Sequence, residues 1–262
     1  MSLPELLRER DRACRLTSDL ALESLDEAER FLRERGLLTR MPDCSLPSLF
    51  GACHEEPYKP GSRGFGLWPR TKWPWGFELA ERPGVHVLGI HRGKGVLVTA
   101  ETAALVDPLA RDALARAESG ELGPEAAGLV AHLAVAGPSL LEELVEETGL
   151  DPRRPRARLE RIGAVVARAV IFDDQHRHSS ELARWDQVFP EPSVGGLGEL
   201  IVAAVRAAVV APEDEARGWF SWRASTALID ELVEAAQLAR PAPGWLSAEE
   251  TASRRAPAGP GR

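Results

Sequence analysis

The chain has no run of 18 apolar residues. Its longest apolar stretch, Leu200 to Ala211, is broken by Arg206 and is too short to cross a bilayer. Met1–Glu9 is charged and reads as helix, so no secretory leader is expected. These two absences predict a cytoplasmic protein with no membrane partner. Cysteine is scarce: Cys14, Cys44 and Cys53 are odd in number and irregularly spaced, which excludes a disulfide framework. Cys44, Cys53 and His54 do not make a zinc-ribbon spacing either. Lysine is nearly missing, with only Lys59, Lys72 and Lys94, and arginine supplies the remaining positive charge. That bias reflects codon usage and carries no functional information.

What is present can build a core. The 262 residues are 44% apolar, enough for one large domain or a few small ones. The net charge is −8, which argues against a phosphate-rich partner for the chain as a whole. The acidity sits in one block: residues 101–148 hold ten acidic residues against Arg111 and Arg116. Residues 57–98 hold seven basic residues against Glu78 and Glu81, and residues 151–161 hold five arginines against Asp151 and Glu160.

Local signals predict a mainly α protein with small β-hairpins (α+β). Ser24-Leu25-Asp26-Glu27 is a capping box, and Gly36 is a natural helix stop. Leu37–Thr39 reads as a short strand. Residues 40–75 are irregular, punctuated by proline and glycine, with a short helix near 46–53. Val85–Ile90 and Val96–Val98 form a hairpin around Arg92-Gly93-Lys94-Gly95. Residues 102–117 and 126–135 are helical. Ser139 is expected to cap the next helix, and Asp151-Pro152 to open an arginine-rich one ending near Ile162. Residues 164–172 are strand material, and residues 176–197 read as a loop. Helices at 197–210, 212–220 and 225–236 precede a small hairpin, 238–240 with 245–247.

Helix, helix, glycine turn, arginine-rich helix and hairpin, in that order, describe a winged helix-turn-helix. A weak internal repeat extends the pattern: Trp73-x-Trp75, a short helix and a hairpin parallel Trp219-x-x-Trp222, a helix and a small wing. The expected organisation is therefore tandem winged helix-turn-helix units. A helical segment and Trp-rich unit fill 1–120, a central unit 121–178, a third unit 179–250 and a disordered tail 251–262.

The residues Gly64-Phe65-Gly66-Leu67-Trp68-Pro69, Trp73-Pro74-Trp75-Gly76-Phe77-Glu78-Leu79, the hairpin 85–98, Gly137-Pro138 and Glu160-Arg161-Ile162-Gly163-Ala164 resemble the AlkZ-related proteins. These are similar to the AlkZ-type DNA glycosylases, and the likeness spans roughly residues 24–250. The resemblance implies tandem winged helices, DNA as partner, and hydrolysis of the N-glycosidic bond of alkylated bases, hence DNA repair. The family's catalytic motif is glutamine, an apolar residue, then aspartate or glutamine. Gln175, Gln187 and Gln237 are followed by His176-Arg177, Val188-Phe189 and Leu238-Ala239, so that motif is not found. Two readings stay open: a DNA-binding relative without activity, or an active glycosylase with a different acid. A winged-helix transcription regulator and a protein-interaction module are the further alternatives.

For base excision the candidate acids are Glu55 and Glu56, beside His54, and Asp173 and Asp174. The candidate nucleic-acid contacts are Arg63, Arg70, Lys72, Trp73 and Trp75, with Trp68 nearby, the hairpin tip Arg92 and Lys94, and Arg153, Arg154 and Arg158 of the basic helix. The tryptophans could equally pack a loop onto the core. The arginines could equally pair with Glu142, Glu143, Glu146 or Glu147. His176 and His178 lack a clear third and fourth ligand, so no metal site and no cofactor are expected.

Overall fold

A computed structural model describes residues 1–149, 152–171 and 178–248. The chain opens with α1 (Leu3–Ala13), α2 (Leu25–Arg35) and the short strand β1 (Leu37–Thr39). Two single-turn helices follow, α3 (Leu49–Ala52) and α4 (Trp75–Glu78), then the hairpin β2 (Val85–His91) and β3 (Lys94–Thr99) and the long α5 (Ala100–Glu118). The middle of the chain gives α6 (Pro124–Ala136), β4 (Ser139–Leu140), α7 (Leu141–Thr148), α8 (Arg153–Arg161), β5 (Val165–Ile171), β6 (His178–Arg184) and α9 (Trp185–Val188). The last part gives α10 (Leu197–Ala208), β7 (Val210–Pro212), α11 (Glu213–Ala216), α12 (Thr226–Glu234), β8 (Leu238–Ala239) and β9 (Trp245–Ala248).

The architecture is α+β: helices with three small antiparallel sheets, ordered β1-β3-β2, β4-β6-β5 and β7-β9-β8. Each sheet is built the same way. A helix ends, a strand of two or three residues follows, then further helices, then a hairpin whose second strand pairs with that first short strand. A positive-φ residue lies between helix and short strand every time: Gly36 at +79°, Gly137 at +84° and Val209 at +67°. Glycine adopts this conformation without a Cβ clash, whereas β-branched Val209 is held there against its preference.

The local signals explain most boundaries. The Ser24 hydroxyl accepts from Glu27 N–H at 3.2 Å, while the Glu27 carboxylate accepts from the N–H of Glu23, one residue earlier than a standard capping box. The first hairpin turns on two residues, Arg92 (φ +53°) and Gly93 (φ +81°), and Lys94 already belongs to β3. Positive φ at both central residues gives the turn whose twist matches the strands.

Three expectations are corrected. The stretch read as a loop from 176 onward contains β6 and α9, and β6 pairs with β5 along seven positions. The second sheet therefore runs through Arg184, and the boundary expected at 178/179 cuts inside β6. Ser139 caps no helix: it lies in β4, its hydroxyl donates to Gly137 O at 3.0 Å, and α7 begins at Leu141. Pro152 precedes the first residue of α8 instead of occupying it.

The three repeats do not have separate cores. One apolar cluster includes Leu37, Ile90 and Val98 of the first, Leu129, Leu159 and Trp185 of the second, and Leu200, Trp219 and Leu246 of the third. A smaller cluster gathers Leu22, Phe31, Leu32, Leu49, Phe50 and Leu97 around α2. α5 runs through the shared core, with Ala103, Val106, Ala110, Ala113 and Ala117 on its buried side. Small side chains there let α6 and α10 approach closely.

Asp107 fixes this arrangement. It is 2% exposed and accepts from Trp185 Nε1 at 2.6 Å, Ser193 N–H at 2.9 Å and Arg111 Nε at 2.9 Å. Arg111 also donates to the Phe189 carbonyl at 2.5 Å. Pro108 removes the N–H that would bond to Ala104 O, and the Ser193 hydroxyl donates to that carbonyl instead, at 2.7 Å. Burial works to raise the Asp107 pKa, and the bonds from Ser193, Trp185 and Arg111 more than reverse it. Replacing Asp107 by Asn should cost about 3 kcal/mol, because it leaves Arg111 short of its carboxylate in a dry site. Urea unfolding of both proteins checks this, and a loss under 1 kcal/mol would refute it. The wild-type advantage should be complete above the unfolded carboxyl pKa, about 3.9, and fade as pH falls through the lower folded value.

Candidate nucleic-acid interface

Residues 55–74 form an arm that folds back on itself. Tyr58 N–H donates to Trp68 O at 2.7 Å, Lys59 N–H to Gly66 O at 2.8 Å, and Arg70 N–H to Glu56 O at 2.9 Å. Glu55 closes its base: one carboxylate oxygen accepts from Thr71 N–H at 2.9 Å and the Thr71 hydroxyl at 2.6 Å, the other from Lys72 N–H at 3.0 Å. Burial works to raise the Glu55 pKa, and these three donors lower it by more, so the net shift is downward. A carboxylate engaged in this way is ionised and occupied. The expected acid is thus a clamp of the arm, because hydrogen bonds to the charged form oppose proton delivery. Glu56 stays exposed, and Asp173 and Asp174 lie outside the described residues.

Aromatic rings run along the arm from inside to outside. Phe50, in the smaller core, contacts Trp68 at 5.3 Å between centroids; Trp68 contacts Phe65 at 4.7 Å; Phe65 contacts Tyr58 at 5.9 Å and Trp73 at 5.3 Å. Trp68, Trp73 and Trp75 are half-buried and pack the arm onto the core. Tyr58, Phe65 and Leu67 are exposed, at 57%, 46% and 44%. The Arg40 guanidinium sits 5.6 Å from Trp68 and 5.3 Å from Phe77, with its Nε buried and unpartnered. Burial lowers the Arg40 pKa. Among the described residues no carboxylate pairs with Arg40, so the rings are its main neighbours.

The candidate cations divide into two groups. Arg63 and Arg70 are exposed on the arm, as is Lys59, and none has a side-chain partner among the described residues. Lys72 is engaged: its ammonium donates to Leu22 O at 2.6 Å, lies 3.7 Å from Glu23 and covers Trp75 at 5.5 Å. The first hairpin is not a free wing. Arg92 donates to Gly218 O at 2.8 Å, Lys94 is bonded to Asp43, and Ile90 O accepts from Ser221 N–H at 2.9 Å and its hydroxyl at 3.1 Å. The tip is docked on the third repeat.

The basic helix α8 packs Pro155 and Leu159 inward. Its C-terminal turn lies against β2, where a Cβ on Gly89 would come 3.2 Å from Glu160 O. Arg156 pairs with Glu160 of its own helix, and Arg158 donates to Leu122 O at 2.8 Å. Arg153 and Arg154 are exposed on the first turn, and Arg154 with Arg158 lines an open cleft of about 440 Å³ beside Leu122, Pro124 and Ala126.

The arm therefore carries Arg63, Arg70 and Trp73 together with Tyr58, Lys59 and Phe65, with Trp75 and Arg40 at its base. The alternation of aromatic and basic residues between 58 and 75 was the available signal. Arg92 and Lys94 are bonded to Gly218 and Asp43, while Arg153 and Arg154 are exposed on α8. Compared with known proteins, the chain matches no family model, no curated protein and no solved structure.

Glu55→Ala should release the base of the arm while leaving the core intact. Amide exchange of Thr71 and Lys72 should accelerate severalfold, since their N–H groups lose their acceptor. Unchanged exchange at both would contradict the clamp.

Proposed function

We propose that the chain is a nucleic-acid-binding protein of tandem winged helices, related to the AlkZ-type glycosylases, that holds distorted DNA against its aromatic arm. The thrice-repeated order of helix, short strand, helices and hairpin, with the same strand order in each sheet, supports the winged-helix reading. The observation that carries the binding reading is the pair of exposed rings, Tyr58 and Phe65, beside unpartnered Lys59, Arg63 and Arg70. Stacking on exposed rings accommodates any base, and flanking cations meet the phosphates. An unpaired or extruded base reaches such rings, whereas a base within an intact duplex keeps its stack. The engagement of both Glu55 oxygens supports binding without that residue as the acid.

Fluorescence anisotropy tests this with a labelled duplex, fully paired or carrying an unpaired base opposite an abasic analogue, at two salt concentrations. Binding should weaken with salt and favour the distorted duplex. Tyr58→Ala with Phe65→Ala should reduce affinity about 5- to 150-fold, from roughly 1–3 kcal/mol for one base stacked on the pair. Arg63→Ala with Arg70→Ala should reduce the slope of log affinity against log salt by about two. No binding at low salt, or binding that ignores all four substitutions, would refute the proposal.

A further inference from the structure

Asp43, Cys44 and His91 bring carboxylate, thiol and imidazole ligand atoms within 4.8 Å of one another. Asp43 and Cys44 lie on the turn after β1, and His91 ends β2 at the hairpin tip. His91 Nε2 is 3.9 Å from Cys44 Sγ and 3.7 Å from Asp43 Oδ1. In a tetrahedral zinc site the ligand bond lengths place sulfur and nitrogen roughly 3.6 Å apart, and nitrogen and oxygen roughly 3.4 Å apart. The two separations from His91 need to close by only a few tenths of an ångström, and Cys44 Sγ lies within 4.8 Å of the Asp43 carboxylate.

A second observation points the same way. His91 is 2% exposed, and its Nε2 has only these two long contacts among the described residues. A buried imidazole nitrogen with no close partner is costly, and a cation at Nε2 would supply one.

The surroundings hold the donors in place. Glu215 Oε1 accepts from Ser45 N–H at 2.5 Å, the Ser45 hydroxyl at 2.8 Å and Trp219 Nε1 at 3.1 Å, which fixes the backbone next to Cys44. Lys94 engages the other oxygen of Asp43 and leaves Oδ1 toward His91. Asp43 is exposed, so a cation has a path from solvent.

We propose that Asp43, Cys44 and His91 form a binding site for a borderline divalent cation such as Zn²⁺, with water as the fourth ligand. The mixed oxygen, sulfur and nitrogen set suits zinc over magnesium or calcium. Binding joins the turn after β1 to the hairpin tip, beside the contact with the third repeat. Coordination forms a metal–sulfur bond and sends the thiol proton to solvent. Thiolate ligation releases a proton, so affinity rises with pH.

Cobalt(II) is the probe, because cobalt–thiolate coordination gives a near-ultraviolet charge-transfer band. The full chain should bind one Co²⁺ with that band, and Zn²⁺ should displace it. Cys44→Ser, nearly the same size, should lose the band. Asp43→Asn, on the surface, should weaken binding roughly tenfold or more while circular dichroism shows the fold retained. Absence of the band in wild type, its persistence in Cys44→Ser, or unchanged affinity in Asp43→Asn would each overturn the site.

Discussion

The structure depends on one buried carboxylate in the middle of one helix. Asp107 ties α5 to Trp185 and to the backbone at Ser193, and through Arg111 to the carbonyl of Phe189. Those contacts fold the connection between the second and third repeats back onto the shared core. Trp185 is fully buried there, and Phe189 stacks on it at 4.3 Å. A charge in such a place is tolerated only when several donors surround it, and here two side chains and a backbone N–H do so. The neighbouring Pro108 fits the same design, because the carbonyl it orphans is met from the same loop.

That packing has consequences for what each repeat offers at its surface. The three repeats share a core, so elements that would be free in an isolated unit are covered. The first hairpin lies against the loop carrying Gly218 and Ser221, and α8 lies against β2. A basic hairpin tip is thereby a joint between repeats. The Asp43, Cys44 and His91 cluster sits at this joint, where His91 is buried while Asp43 stays open to solvent.

The arm from 55 to 74 escapes this coverage. Its prolines and glycines leave it only a short 3₁₀ turn, Gly64–Leu67, and Trp68 and Trp73 anchor it through Phe50 and Phe77. With the inner rings anchored, the outer rings and three cations remain at the surface. A rigid support with an exposed aromatic edge limits the ordering cost of stacking a ligand. The chain's negative charge is compatible with this, since Asp107, one of the acidic block's residues, is turned inward and others pair locally, as Glu121 does with Arg116.

Local chemistry made much of the fold legible. Ser24 and Gly36 bound α2, β-branched residues around Arg92-Gly93 specify the first hairpin, and apolar spacing marks α5, α6 and α10. These features rest on interactions a few residues apart, which a sequence displays directly. The sequence also displayed the aromatic and basic character of the arm. It could not display β4 or α9, too short to carry a period, nor β6, whose identity comes from pairing with β5. It could not say which charges are free. Lys72 meets Leu22 fifty positions away, Lys94 meets Asp43 at fifty-one, and Arg92 meets Gly218 at 126. Composition decides that a residue is basic; only the tertiary structure decides whether another part of the chain has already neutralised or bonded it, because those partners are brought together by the shared core.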